Sequence, residues 1–330
     1  MGWRTYLLAG AVLLSGCGGR QSTLDTHSPQ THDIAVLWWW MLGIASVVFF
    51  GAVGLLALAW LRRRTPGLPV VGENEGINRN LVLAFGIAIP IVVLVTLFLV
   101  ANVTVLGATA APRPGSTAMT IRVVGHQWFW EIRYPGTAAV TANEIHIPTR
   151  TRVNVVAATG DVIHSLWVPE LNRKVDTVPG RANRILLYAD KPGTYRGQCS
   201  EFCGLQHAHM ALQVVAEAPV QYRAWLANMA RPARAPATPQ QTAGRATFLA
   251  TTCSSCHAIR GTEARADVGP DLTHVATRAT LASDTIPNTP AELLGWISDP
   301  QHVKPGAKMP GLSLTPAQFR EIAAYLESLR

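Results

Sequence analysis

Two long stretches without a charged side chain, 34–61 and 80–112, dominate the first third of the chain. A membrane-spanning helix needs about 20 largely apolar residues, so the pattern predicts two spans, at about 34–61 and 81–105. Trp38, Trp39, Trp40 and Trp60 stand near the ends of the first, where aromatic rings settle at a membrane–water boundary. Two such runs in tandem argue against a buried core helix. Arg62-Arg63-Arg64 lies between them, and the positive-inside rule puts that connection in the cytoplasm. Both outer ends of the hairpin, and everything after about Ala110, then face outward. Beyond 112 the pattern changes to short runs, 119–124, 144–147, 152–157 and 184–189, which alternate or are rich in β-branched residues and are separated by turn signals. These predict strands of a sandwich. Helical spacing returns over 316–329.

Ahead of the first span, Arg4 precedes a short apolar region and then Leu14-Ser15-Gly16-Cys17, the order of an export signal. The Leu-Ser-Gly-Cys ending resembles the bacterial lipoprotein box, in which Cys17 becomes the acylated first residue and 1–16 are removed. An ordinary signal with an incidental cysteine is the alternative. Composition agrees with a membrane protein: 48% of residues are hydrophobic and 15% charged, against roughly 25% charged in soluble domains. That excludes a disordered chain and disfavours a soluble cytoplasmic enzyme. The net charge of +8 is spread as +2 over 1–111 (6 basic, 4 acidic), +4 over 112–230 (12 and 8) and +2 over 231–330 (10 and 8). With no basic tail or stripe, no nucleic-acid partner is expected.

Four further cysteines would suggest two disulfides in an exported protein, but their spacing points to metals. Cys253-Ser254-Ser255-Cys256-His257 is the C-x-x-C-H pattern of c-type haem attachment. Two thiols add to the haem vinyl groups and the adjacent histidine binds iron; a redox or zinc C-x-x-C is the blander reading. Met309, the one methionine after His257, sits between Pro305 and Pro310 and is the candidate second axial ligand. Gly244 and Phe248 before the motif, and the helix after Met309, resemble the terminal helices of a class I cytochrome c. His274 and His302 read as surface residues.

The other pair lies in Cys199-Ser200-Glu201-Phe202-Cys203-Gly204-Leu205-Gln206-His207-Ala208-His209-Met210. Thiols four apart followed by histidine and methionine are soft donors suited to copper rather than magnesium or calcium. His164, upstream, supplies another imidazole. His209 competes with His207 in principle.

These motifs, with His164-Ser165-Leu166-Trp167-Val168-Pro169, Val175-Asp176-Thr177-Val178-Pro179-Gly180-Arg181 and Gly125-His126-Gln127-Trp128-Phe129-Trp130, resemble cytochrome c oxidase subunit II over roughly residues 34–230. The resemblance implies a multidomain chain: a two-helix transmembrane hairpin, a cupredoxin-like all-β sandwich, then an all-α class I cytochrome c domain. The expected boundaries are signal peptide 1–16, N-terminal segment and hairpin 17–111, copper domain 112–229, Pro/Ala-rich linker 230–240 and haem domain 241–330. It implies a binuclear copper centre, CuA, with Cys199 and Cys203 bridging both metals and His164 and His207 binding one each. Met210 and the Glu201 carbonyl would be weak outer ligands, and the Glu201 side chain would reach a magnesium ion at the boundary with subunit I. Spacing in the family favours His207 over His209. Trp128, which composition alone reads as part of a packed aromatic strand, corresponds to the family residue at which electrons enter.

The function so implied is the electron-input subunit of a proton-translocating cytochrome c oxidase. Electrons would pass from an external cytochrome or respiratory complex through haem c and CuA to subunit I, with subunit III as a further partner. The membrane would be the bacterial inner membrane, with both redox domains on the periplasmic side. No residue of this chain would itself reduce oxygen. The CuA subunit of a nitric oxide reductase and a copper-delivery assembly factor are the alternatives. One departure concerns a glutamate that many relatives carry at the start of the second span: here only Glu73 and Glu75 stand nearby. Pro232, Pro236 and Pro239 make 230–240 a semi-extended tether rather than a packed element. The tether would replace the acidic steering surface that a net-basic copper domain lacks.

Overall fold

The computed structural model describes residues 19, 21–64 and 75–330; the expected signal peptide over 1–16, Cys17 and Glu73 lie outside the described residues. The chain divides into two compact units, Pro29–Ala110 and the remainder.

The first unit holds a helix over Pro29–Arg64 and a second helical run, Glu75–Thr109, with apolar windows of mean hydropathy 2.4 and 2.9. Neither window is covered by protein, and side chains such as Val47, Phe50, Leu94 and Phe98 point outward, as lipid contact requires. Polar side chains near the end of the second run are satisfied locally. Asn102 Nδ2 and Thr104 Oγ1 donate to the carbonyls four residues earlier, at 2.7 and 2.8 Å, which suits a medium without water. A wide π turn, Ala84–Ala88, stands directly before Pro90, the residue with no N–H to give the ladder. Glu75 begins the run.

In the second unit, ten strands form a sandwich of two five-stranded sheets, in the orders β3-β2-β1-β5-β8 and β4-β10-β9-β6-β7. The strands are β1 Met119–His126, β2 Phe129–Arg133, β3 Val140–Ala142, β4 Glu144–Pro148, β5 Val153–Thr159, β6 His164–Trp167, β7 Val175–Thr177, β8 Asn183–Leu187, β9 Gly193–Cys199 and β10 Ala211–Glu217. β1 runs parallel to β5, and β4 to β10; every other ladder in the sandwich is antiparallel. Alternate residues such as Val153, Val155 and Ala157 turn inward to meet Ile145, Ile147 and Leu212 from the facing sheet. This is the cupredoxin-like layering that the copper motif implied.

A helix, Pro219–Met229, closes the sandwich, and the chain then runs extended to the helix Pro239–Ala250. The proline-rich segment is tied down rather than free. Ala233 donates its N–H to Arg260 at 2.8 Å, and His274 Nε2 bonds the Arg231 carbonyl at 3.0 Å. Proline fixes the extended shape, and the remaining backbone groups find partners on the helical domain. His274 is therefore buried, contrary to the surface position read from sequence, because the tether covers it.

The C-terminal helical domain repeats one device at three helix starts. Thr238, Thr289 and Thr315 each cap a helix whose first residue is proline, so the missing N–H falls where none is needed. The Pro316–Glu327 helix crosses Pro239–Ala250 at Gly244, where a Cβ would collide with the Glu321 carbonyl. Phe248 meets Tyr325 edge-on beside that crossing.

Candidate copper and haem sites

The copper donors come from strand ends and the loop joining two neighbouring strands. His164 opens β6, and Cys199 closes β9. β6 and β9 pair with Leu166 opposite Cys199, which brings the two ligand positions to one edge. The loop to β10 is pinned at its base, where Cys199 N–H donates to the Met210 carbonyl at 2.9 Å, and on its flank, where Ser200 N–H donates to Ser165 at 2.9 Å. Within it, Cys199 Sγ lies 3.8 Å from Cys203 Sγ, 3.9 Å from His164 Nδ1 and 3.2 Å from the Glu201 carbonyl oxygen. Cys203 Sγ lies 3.6 Å from His207 Nδ1 and 3.8 Å from Met210 Sδ. The sequence-derived donors thus converge, and His164, Cys199 and Cys203 are buried together.

The two thiols sit too close to ionise together. The hydrogen bond with Cys203 leads the forces that draw Cys199 far below an ordinary thiol, while Cys203 beside that thiolate is pushed far up. A close pair that resists holding two negative charges without a counter-charge is relieved by a cation. Two sulfurs, two imidazoles, a thioether and a carbonyl also form a soft donor set, so the residues fit copper. His209 turns from the cluster and pairs with Gln206 Oε1 at 2.7 Å. Glu201's carboxylate points to solvent, 3.9 Å from Lys174 Nζ.

Sequence reading missed the residues that aim these ligands. Asp161 Oδ1 lies 2.8 Å from His164 Nε2, which leaves the other ring nitrogen facing the thiols. Burial opposes ionisation of Asp161, but hydrogen bonds from His164, Gln127 N–H and Val162 N–H outweigh it and lower its pKa. Its position three residues before His164, on one tight loop, was the available signal. Gly125 is the other: a Cβ there would lie 2.8 Å from the His164 ring, so only glycine admits the imidazole.

Gln127 Nε2 and Trp128 Nε1 both donate to the Cys203 carbonyl, at 2.8 and 3.0 Å. Trp128 also borders a large cavity in the haem domain. Cys253, Cys256, His257 and Met309 line that cavity together, with apolar walls including Phe248, Leu293 and Phe319. Both cysteines are free rather than joined to each other. His257 Nδ1 is 2.8 Å from the Pro270 carbonyl, which leaves Nε2 available, and burial lowers its pKa toward the neutral, ligating form. Arg278 on the cavity wall is buried, and its Nε has no partner. An apolar cavity bearing two thiols, a histidine, a methionine and an orphaned donor suited to a carboxylate fits a haem.

His126 and His146 are outside both clusters. His126 stacks on Phe129 with ring centroids 4.8 Å apart, and His146 on Trp225 at 3.9 Å.

Residues 138–218 match the family described as cytochrome c oxidase subunit II, periplasmic domain, and residues 241–330 match the cytochrome c family. A cytochrome c oxidase subunit 2 of Alkalihalophilus pseudofirmus is 33% identical over 328 residues, spanning 97% of this chain and 94% of the relative. One from Bacillus subtilis is 28% identical over 357 residues, spanning 99% and 98%. A crystal structure of the periplasmic domain of subunit II of cytochrome oxidase of Bradyrhizobium japonicum is 28% identical over 36% of this chain and 96% of that one, with a TM-score of 0.34. The chain belongs to the cytochrome c oxidase subunit II family, and carries a cytochrome c domain at its C-terminal end.

Proposed function

We propose that this chain is the electron-input subunit of a proton-translocating cytochrome c oxidase, taking electrons at its haem domain and delivering them through the copper domain to subunit I. Bound haem c and binuclear CuA would supply the one-electron centres. Cys253 and Cys256 would hold the haem covalently, with His257 and Met309 as axial ligands. Cys199 and Cys203 would bridge the copper pair, with His164, His207, Met210 and the Glu201 carbonyl completing it. The solvent-facing Glu201 carboxylate would reach magnesium at the subunit I boundary. Cys17 would be acylated, both redox domains would be periplasmic at a bacterial inner membrane, and subunit III and an upstream cytochrome or respiratory complex would complete the partners. Family membership favours this reading over a nitric oxide reductase or a copper-delivery factor.

The observation that carries the proposal is the placement of Trp128. Its ring borders the cavity that would hold haem, while its indole N–H donates to the Cys203 carbonyl. Replacing Trp128→Phe keeps an aromatic wall and removes that hydrogen bond. Stopped-flow optical kinetics on the purified oxidase should then show CuA reduction slowed by about tenfold or more, with the copper spectrum intact. Unchanged kinetics would remove Trp128 from the route.

A further inference from the structure

The haem domain does more than hang from a tether: it grips the backbone of Trp128. Lys304 is 3% exposed, and Ser283 is 2% exposed. Lys304 Nζ donates to the Trp128 carbonyl at 2.9 Å, to Ser283 Oγ at 3.1 Å and to the Ala282 carbonyl at 3.3 Å. Ser283 Oγ donates to the same Trp128 carbonyl at 2.7 Å. An ammonium has three N–H donors, and all three are spent here on neutral oxygens. Burying a cation costs several kcal/mol unless its donors are met, so an apolar side chain would be the simpler filler for this junction.

The backbone around Ser283 carries a cost of its own. Ala282, Ser283 and Asp284 have φ of 51°, 62° and 62°, three successive left-handed residues without glycine. The copper domain holds that turn. Ala211 N–H donates to Ser283 at 3.2 Å, and Arg196 Nε and Gln213 Nε2 donate to the Asp284 carboxylate at 2.9 and 2.6 Å. On the other side, Lys304 begins the Pro305-to-Pro310 loop that carries Met309, and Gln206 of the copper loop donates to the Pro305 carbonyl. One buried side chain therefore joins the Met309 loop, the strained turn and Trp128.

We propose that Lys304, with Ser283, is the positioning residue of interdomain electron transfer, holding Trp128 in place on the wall of the haem cavity by clamping its carbonyl. The inference rests on Trp128 being the route to copper. Both residues also line the haem cavity, and their hold on Trp128 is made through its backbone carbonyl.

The test uses the full chain in its assembled oxidase, with haem c reduced by a photosensitiser pulse and copper followed optically. Lys304→Met keeps the side-chain bulk without its donors. It should slow transfer by about tenfold, leave both optical spectra unchanged, and speed hydrogen exchange at the Ala211 amide. Lys304→Arg, which keeps donors and charge, should recover most of the rate. If Lys304→Met does not assemble, Ser283→Ala, which removes only a hydroxyl, should still slow transfer by about twofold to threefold. A wild-type rate and wild-type Ala211 protection in whichever of these variants assembles, alongside a slow Trp128→Phe, overturn the clamp and leave the Trp128 route standing. A wild-type rate in Trp128→Phe overturns the route and the clamp together.

Discussion

The copper loop and the haem cavity solve the problem of holding a redox metal in opposite ways. At copper, the protein supplies the donors directly and packs them against one another. Sulfur, nitrogen and carbonyl oxygen stand 3.2–3.9 Å apart on strand ends whose ladders already fix them. At haem, the protein supplies a shell. Phe248, Leu293, Phe319 and Leu326 belong to the domain's core cluster and also line its cavity. A bound haem would therefore fill a space within its domain's core, whereas the copper donors Cys199, Cys203 and Met210 are themselves packed into the sandwich core. The sandwich closes its core with its own side chains, whereas the helical domain leaves a cavity that a bound haem would fill.

Removing the haem attachment should separate the two most sharply. With haem held as proposed, Cys253→Ala with Cys256→Ala would leave the cavity walls without that filler, and a void in a small helical core is strongly destabilising. The expected result is loss of covalent haem stain on a denaturing gel and loss of the helical domain's thermal transition, while copper absorbance and the sandwich's transition persist. Loss of both transitions together would mean that the sandwich depends on its neighbour for folding.

A smaller effect should come from Asp161→Asn. The carboxylate fixes which nitrogen of His164 faces the thiols, and such outer partners are worth roughly 10–100-fold in metal affinity. Competition with a copper chelator should show that loss without a change in the sandwich's thermal midpoint larger than a few degrees. An unchanged copper affinity would show that Gly125 and the Trp130 ring, whose centroid is 5.8 Å from that of His164, suffice to aim the imidazole.

The two regions also differ in how much of them can be read from the sequence. The copper donors lie largely within twelve residues, Cys199 to Met210, and C-x-x-C-H is contiguous, so spacing alone carries their chemistry. Strand alternation marked β1, β4, β5 and β8 but not the other six strands of the sandwich, and the two uncharged runs marked both long helices. What spacing could not carry is the junction. Lys304 reaches Trp128 across 176 positions and Ser283 reaches it across 155. In sequence, a lysine before Pro-Gly and a serine in a polar turn look like solvated surface; only the packing of one domain on the other buries them. His274 was misread for the same reason, because the segment that covers it is an extended tether with no pattern of its own.

The same junction contains a pH-sensitive contact, with the smallest expected effect. His146 is buried in the sandwich, stacked on Trp225, with Nδ1 3.2 Å from Glu217 Oε2 and Nε2 3.7 Å from Glu144 Oε2. Tyr134 OH donates to the His146 carbonyl at 3.2 Å. The other oxygen of Glu144 accepts the N–H of Ala279 from the haem domain at 2.6 Å, and Arg278 adds a more distant positive field to Glu144. Burial disfavours the charged imidazole, but Glu144 and Glu217 outweigh it, so the pKa of His146 rises above 6.5. Because folding raises it, the stabilisation is fully present below about pH 6.5 and is lost as pH rises through the folded-state value. The thermal midpoint of the full chain should therefore decline across that window, with a shallower decline in His146→Gln. As Glu144 loses its positive neighbour, the Ala279 amide should also exchange faster than its intrinsic pH dependence accounts for. If His146→Gln leaves both profiles unchanged, the imidazole is neutral throughout, and Glu144 holds the haem domain without its help.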